Sequence, residues 1–325
     1  MTSYRPKKVK VTEHIKKAEG KTLFSFEILP PKKGENLQTI FSRIDPLMEF
    51  NPPFIDVTYH REEYEYRELP NGLLEKIVTR RRPGTVGICA AIQHKYRVDA
   101  VPHVICGGFD KEEIENMLID LNFLGIDNVL ALRGDAIKNE GSFHPESNGH
   151  QYASELLEQI ASLNKGQYLH EEYPDGATDF CIGVAGYPEK HFESPNLSTD
   201  LYYLKKKVSA GADYIVTQLF YDNQKYFDFV RRCRETGITI PIIPGIKPIS
   251  VRKHLNILPN IFHIDLPQPL VLEIEKCRDN KQIYDLGIEW AIHQCRELIE
   301  FGVPVLHFYS MGRPENIRRI AKELF

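Results

Sequence analysis

The stretch LFSFEILPP (residues 23–31) decides the fold. A strand turns successive side chains to opposite faces, so Phe24, Phe26 and Ile28 share one face while Leu23, Ser25 and Glu27 share the other. In a closed barrel the first set faces surrounding helices and the second lines the interior, which puts Glu27 in the mouth. Seven further strand-like stretches follow: FIDVTYH (54–60), VDAVPHVIC (98–106), NVLALRGD (128–135), FCIGVAGYP (180–188), YIVTQLFYD (214–222), PIIPGIKP (241–248) and PVLHFYSM (304–311). They alternate with helical patterns, and that alternation favours a parallel sheet. Eight strand–helix units suit an α/β fold of the (β/α)8 TIM barrel type. An open doubly wound sheet usually has fewer strands and often a glycine-rich first turn, and no GxGxxG occurs here.

The helices carry their own punctuation. Between Lys111 and Leu124, Ile114, Met117, Leu118, Leu121 and Leu124 form one apolar face, with Asp110 and Glu113 as a capping box and Gly125 as the stop. Leu37, Ile40, Phe41 and Ile44 make a second stripe before Pro46; Leu197, Leu201, Leu204 and Val208 make a third that ends at Gly211. The run TVGICAAI (85–92) suits either a buried strand or a small-residue helix, and its continuation to Tyr96 favours helix. Residues 61–83, 138–150 and 165–179 are polar insertions, expected as loops of one domain spanning 1–325, after a basic leader over about residues 1–10.

A formal charge of -4 gives no general attraction to phosphate backbones or anionic lipid, so nucleic acid and membrane are not expected partners. The apolar runs fall far short of the ~20 residues needed to span a bilayer. The N-terminus has no apolar signal core, and Val11, Ile15 and Ala18 read as the inward face of a short helix. Six scattered cysteines match reduced, buried thiols of a cytoplasmic protein, and no His, Cys or acidic spacing matches a metal site.

Polar side chains recur where the strands should be dry. Besides Glu27 they are Thr58 and His60, His103, Arg133 and Asp135, Tyr187 and His191, Gln218, and Tyr309 followed by Arg313. Any one of them has an ordinary structural reading: an ion-paired glutamate, a satisfied histidine, a core tyrosine, a helix cap. Their convergence from at least seven strand ends is what a barrel enzyme requires, because the loops after the strands form its catalytic face. A carboxyl at an apolar strand end loses hydration when ionised, so Glu27 is expected to hold its proton and to be able to donate it. In Arg133-Gly134-Asp135 the glycine allows close approach of a ligand, Arg133 can meet an anion, and Asp135 can accept hydrogen bonds.

Taken in order, FSFEILPPK, IDVTY, VPHVIC, ALRGD, AGYPEKH, the lysine-rich helix before AGADYIVTQLFYD, IIPGIKP and HFYSMGR resemble the methylenetetrahydrofolate reductase family, from about residue 10 to the end. The resemblance implies a catalytic barrel of the short bacterial type, bound FAD, NADH or NADPH as co-substrate, methylenetetrahydrofolate as substrate, a homo-oligomer, and a place in one-carbon metabolism and methionine biosynthesis. It implies no C-terminal domain for regulation by adenosylmethionine. By residue, it makes Glu27 the general acid that opens the folate ring to a 5-iminium cation and Asp135 a catalytic residue near flavin and pterin. Gln218, Tyr309 and Arg313 join Glu27 and Asp135 in binding substrate. Thr58, Tyr59, His103, Arg133, Gly134, Asp135, Tyr152, Ala153, Tyr187, His191, Asp200 and Lys207 would bind FAD, while Lys205 and Lys206 read as a solvated helix face.

The implied reaction is a ping-pong hydride relay through FAD that yields 5-methyltetrahydrofolate. Two rivals stand beside it. Another FAD-dependent barrel dehydrogenase, such as a proline-dehydrogenase-like protein, would share the cofactor without needing Gln218 or Arg313. A non-catalytic pterin- or flavin-binding protein would use Glu27 only in a structural ion pair.

Overall fold

A computed structural model describes residues 9–137 and 141–325; residues 1–8, which make up most of the expected leader, lie outside the described residues. The strands are β1 (Leu23–Ile28), β2 (Phe54–Val57), β3 (Glu63–Glu68), β4 (Leu74–Thr79), β5 (Asp99–Ile105), β6 (Asn128–Leu132), β7 (Cys181–Gly186), β8 (Tyr214–Leu219), β9 (Ile242–Ile246) and β10 (Val305–Tyr309). Eight of them close into a barrel in the order β1-β10-β9-β8-β7-β6-β5-β2, every pair parallel. These are the eight stretches read from the sequence, and helices surround them as a (β/α)8 barrel requires. The run 85–92 lies in the helix Thr85–Tyr96, and the capping box of Asp110 and Glu113 is formed.

Residues 61–83 depart from the expected loop. β3 and β4 pair antiparallel from Glu63↔Thr79 to Glu68↔Leu74 as a hairpin outside the barrel. The turn was signalled by Asn71-Gly72: Gly72 takes φ +78°, and the Asn71 side chain accepts from the Leu73 amide at 3.1 Å. The strands were masked because neither face is buried, so no alternation of apolar and polar residues was selected. Lys76 over the Tyr64 ring at 4.1 Å, and Arg81 paired with Glu63 and Glu65, hold the hairpin instead.

The parity of β1 is as read from the sequence. Phe24, Phe26 and Ile28 join the apolar shell between strands and helices, whereas Leu23 packs with the cluster inside the barrel. Along each inward-facing row the chemistry changes from bottom to top: Leu23, Ser25, Glu27 on β1; Phe54, Asp56, Thr58 on β2 and just beyond it; Val305, His307, Tyr309 on β10. The N-terminal mouth is closed by the helix Val11–Lys17, whose Val11 is fully buried with Phe54, Val101 and Val305. Asn128 latches it, accepting from the Val11 amide at 2.9 Å and donating to the Val9 carbonyl at 3.1 Å. His14 contacts Asp99 at 2.7 Å on the same rim. Among the described residues no helix is long and apolar enough to cross a membrane.

Because Asn128 is buried and makes both bonds to backbone, Asn128→Ala should cost about 1–3 kcal/mol in urea unfolding and open residues 11–17 to limited proteolysis. Unchanged stability and an unchanged cleavage pattern would refute the latch.

Candidate active site

The C-terminal ends of β1, β2, β5 and β10 bring four of the expected residues together. Glu27 is 9% exposed; one carboxylate oxygen accepts from the Thr58 hydroxyl at 2.6 Å, and the other lies 3.5 Å from His103 Nε2. Tyr309 pairs in register with Glu27 and donates its hydroxyl to the Thr217 carbonyl at 2.7 Å. Gly245 makes room for this ring: a Cβ there would stand 2.5 Å from the Tyr309 ring and 2.3 Å from the Thr217 oxygen. Burial raises the Glu27 pKa, against the His103 imidazole and the Thr58 hydrogen bond, which favour the ionised form; nearby Asp56 raises it further. Burial also lowers the His103 pKa, against the pull of the Glu27 carboxyl, so desolvation opposes charge on both partners of the contact.

A second group gathers above β6 and β7. Arg133 makes a two-pronged pair with Glu193 at 2.6 and 2.9 Å and lies over the Phe143 ring at 5.1 Å. Gly134 takes φ +85° above Ile105, a backbone state that suits glycine. Tyr187 meets His191 edge-on at 4.7 Å, and Asp200, in the first turn of the helix Leu197–Ser209, accepts from the His191 amide and the Ser194 hydroxyl. From the same helix Lys207 reaches inward and donates to the Ala185 carbonyl at 2.8 Å; burial lowers its pKa to about 8. The two groups adjoin, since the charges of Glu27 and Tyr187 both bear on the Tyr309 hydroxyl.

The other expected residues lie further out. Tyr59 meets Phe109 edge-on at 5.1 Å, and His60 and Asp135 sit exposed at the rim, within electrostatic reach of each other. The side-chain oxygen of Gln218 accepts from the neighbouring Leu219 amide. Arg313 is exposed where the last helix begins. Tyr152 caps the helix Ala153–Leu163, which Ala153 begins, and Tyr152 is exposed. Lys205 departs from the solvated reading: its ammonium caps the carbonyls of Thr236 and Gly237 at 3.0 Å, after the neighbouring helix ends. Lys206 lies over the exposed Tyr202 ring at 4.8 Å.

Four residues that belong here escaped the sequence reading. Asp56 and His307 stand two residues before Thr58 and Tyr309 on the same inward rows, so strand parity could have found them. Lys247, just past β9, feels both Glu27 and Arg313 and is lowered to about 8 by burial. Arg61 keeps Nε and Nη1 buried without an acceptor among the described residues, beside Gly107 and Phe143. A group with several phosphate oxygens fits these donors. Arg61 has two nitrogens without an acceptor among the described residues, Lys207 donates to a carbonyl oxygen within electrostatic reach of Asp200, and Arg133 already binds a carboxylate in the geometry that would take phosphate.

Residues 10–325 match the family model described as methylenetetrahydrofolate reductase. The chain is 35% identical to methylenetetrahydrofolate reductase (NADH) 1 of Arabidopsis thaliana over 94% of its own length, and spans about half (49%) of that relative. It is 30% identical to the 5,10-methylenetetrahydrofolate reductase of Escherichia coli, over 94% of this chain and 91% of that one. A solved protein of Clostridium thermocellum, described as binding two copies of 5-methyl-5,6,7,8-tetrahydrofolic acid, shares the fold with TM-score 0.58, 16% identity and coverage of 95% and 97%.

The buried Asp56 carboxyl leaves a mark on stability. Its pKa rises from 3.8 to about 6 because burial opposes its charge, so the folded protein holds this proton over a range where the unfolded chain has lost it. Stability should therefore fall as pH rises from 3.8 to about 6, by about 3 kcal/mol in total, and level off above. Urea unfolding of Asp56→Asn should lack that decline, and parallel pH curves for the two proteins would exclude it.

Proposed function

The chain belongs to the methylenetetrahydrofolate reductase family, and on that footing we propose that it reduces 5,10-methylenetetrahydrofolate to 5-methyltetrahydrofolate with NADH or NADPH, using bound FAD. The observation that carries this reading is Glu27, a buried carboxyl whose pKa burial raises, at the mouth of a barrel, where that mouth is the catalytic face of the fold. A carboxylate paired to a cation for structure alone would have its pKa pulled down, whereas this one is pushed up.

Glu27 donates its proton to the bridging nitrogen of the folate, the bond from that nitrogen to the methylene carbon breaks, and the 5-iminium cation is left as hydride acceptor. Thr58 holds the carboxyl in place while this happens. Gln218, Tyr309 and Arg313 bind the folate, Arg313 reaching the negative glutamate tail, and Asp135 lies by the pterin. The nicotinamide and the folate use the same place in turn, which makes the kinetics ping-pong. FAD, when bound, supplies the hydride storage that separates the two half-reactions. Arg133, His191 and Lys207, with Arg61 beside them, provide the positive charge and donors for its diphosphate. Asp200 accepts from ribose hydroxyls, and Thr58, Tyr59, His103, Gly134, Tyr152, Ala153 and Tyr187 complete its binding surface.

Purified protein carrying FAD should be yellow, bleach anaerobically with NADH or NADPH, and regain colour on addition of methylenetetrahydrofolate. A protein that reconstitutes with no flavin would refute the reading. Glu27→Gln should leave bleaching intact and abolish the folate-dependent return of colour; stopped-flow traces normal in both phases would remove Glu27 as the acid. Lys207→Met should weaken FAD binding by about tenfold or more in fluorescence titration, and an unaltered titration would take Lys207 out of the cofactor site.

A further inference from the structure

Directly below Glu27 the barrel interior holds a polar layer that the proposed chemistry does not use. Asp56 and His307 are 1% and 0% exposed, yet among the described residues neither Asp56 oxygen has a hydrogen-bond partner, and neither does His307 Nε2 or the Tyr214 hydroxyl. His307 is held on its other side, where Nδ1 meets the Ser25 hydroxyl at 2.8 Å. The layer beneath is filled by Phe54, Val101, Ile243 and Val305, so apolar packing at this depth is open to the fold. An acid buried without partners in such a place is costly and needs a reason.

The position of His103 supplies one. Its Nε2 lies 3.5 Å from a Glu27 oxygen and 3.8 Å from an Asp56 oxygen, so one imidazole nitrogen is approached by two carboxyl groups from neighbouring strands. We propose that Asp56, acting across His103, is a positioning residue that keeps the proton on Glu27 until the folate takes it. The inference rests on Glu27 being the acid. An ionised Asp56 below the imidazole makes a second negative charge on Glu27 unfavourable, so Glu27 stays loaded. Once Glu27 has given its proton to the folate nitrogen, two carboxylates flank one imidazole, and their repulsion favours return of a proton from solvent to Glu27.

The surroundings of the pair agree with this assignment. Glu27 also faces the Thr58 hydroxyl and, from β9 and β10, Lys247 and Tyr309; Lys247 works against the loaded state, and Asp56 offsets it. Asp56 faces His307 from β10, the Tyr214 phenol from β8 and the Cys89 thiol of the helix Thr85–Tyr96. Burial lowers the pKa of His307 and raises those of the phenol and thiol, so these neighbours stay neutral near pH 7 and none neutralises Asp56.

The test follows the pH dependence of folate-driven reoxidation in enzyme carrying reduced FAD. In Asp56→Asn, the limb lost as pH rises should move toward acid by about one unit, while the rate of flavin reduction by NADH or NADPH stays as in the parent. A second measurement needs neither cofactor nor a folded Asp56 variant. Infrared titration of the apoprotein should resolve two buried carboxyl bands, and the band that Glu27→Gln removes should ionise at higher pH than the Asp56 band, because an Asp56 already charged opposes the second charge. A superimposable pH profile in Asp56→Asn with only a lower melting temperature, or a Glu27 band that ionises before the Asp56 band, overturns the proposal. Absence of folate turnover in the parent protein overturns the functional reading instead, and the infrared titration still decides the coupling.

Discussion

Closure of the parallel sheet between β1 and both of its neighbours, β10 and β2, is the constraint from which the rest follows. With no free edge, every second side chain of each strand is committed to one enclosed interior. The register Glu27↔Tyr309 and Glu27↔Asp56 then fixes which inward residues share a level. A slip by one residue would turn Glu27 outward into the shell of Phe24 and Phe26, and bring Phe26 into the mouth.

Closure also sorts the interior by depth. Apolar groups and the helix Val11–Lys17 fill the N-terminal end, where they stabilise the barrel. The C-terminal end keeps Glu27, Asp56, His103 and His307, which weaken it by giving up hydration without full compensation. The two ends are complementary: a tightly packed floor tolerates a polar ceiling, and the same desolvation that costs stability raises the proton affinity of Glu27.

Much of this was readable from the chain because its signals are local. Each barrel strand is a short apolar run with a turn signal after it, and Phe24, Phe26 and Ile28 alternate with Leu23, Ser25 and Glu27 as a strand inside a barrel must. The hairpin β3–β4 was not readable in that way, since neither face packs on a core and its cohesion comes from cross-strand pairs such as Lys76 on Tyr64. Lys205 looked like part of a solvated charge run because its acceptors, the Thr236 and Gly237 carbonyls, belong to a different helix end.

By itself the sequence determined the order of the eight barrel strands, the face each side chain of β1 takes and the resemblance to a folate reductase family, all properties of neighbours along the chain. Only the tertiary structure decided that one nitrogen of His103 meets both Glu27 and Asp56, that Arg133 meets Glu193, and that Lys247 arrives within reach of Glu27. Proton affinity depends on burial and on charges a few ångströms away through space. For these groups both are set by residues far apart in sequence, so no local pattern could record them.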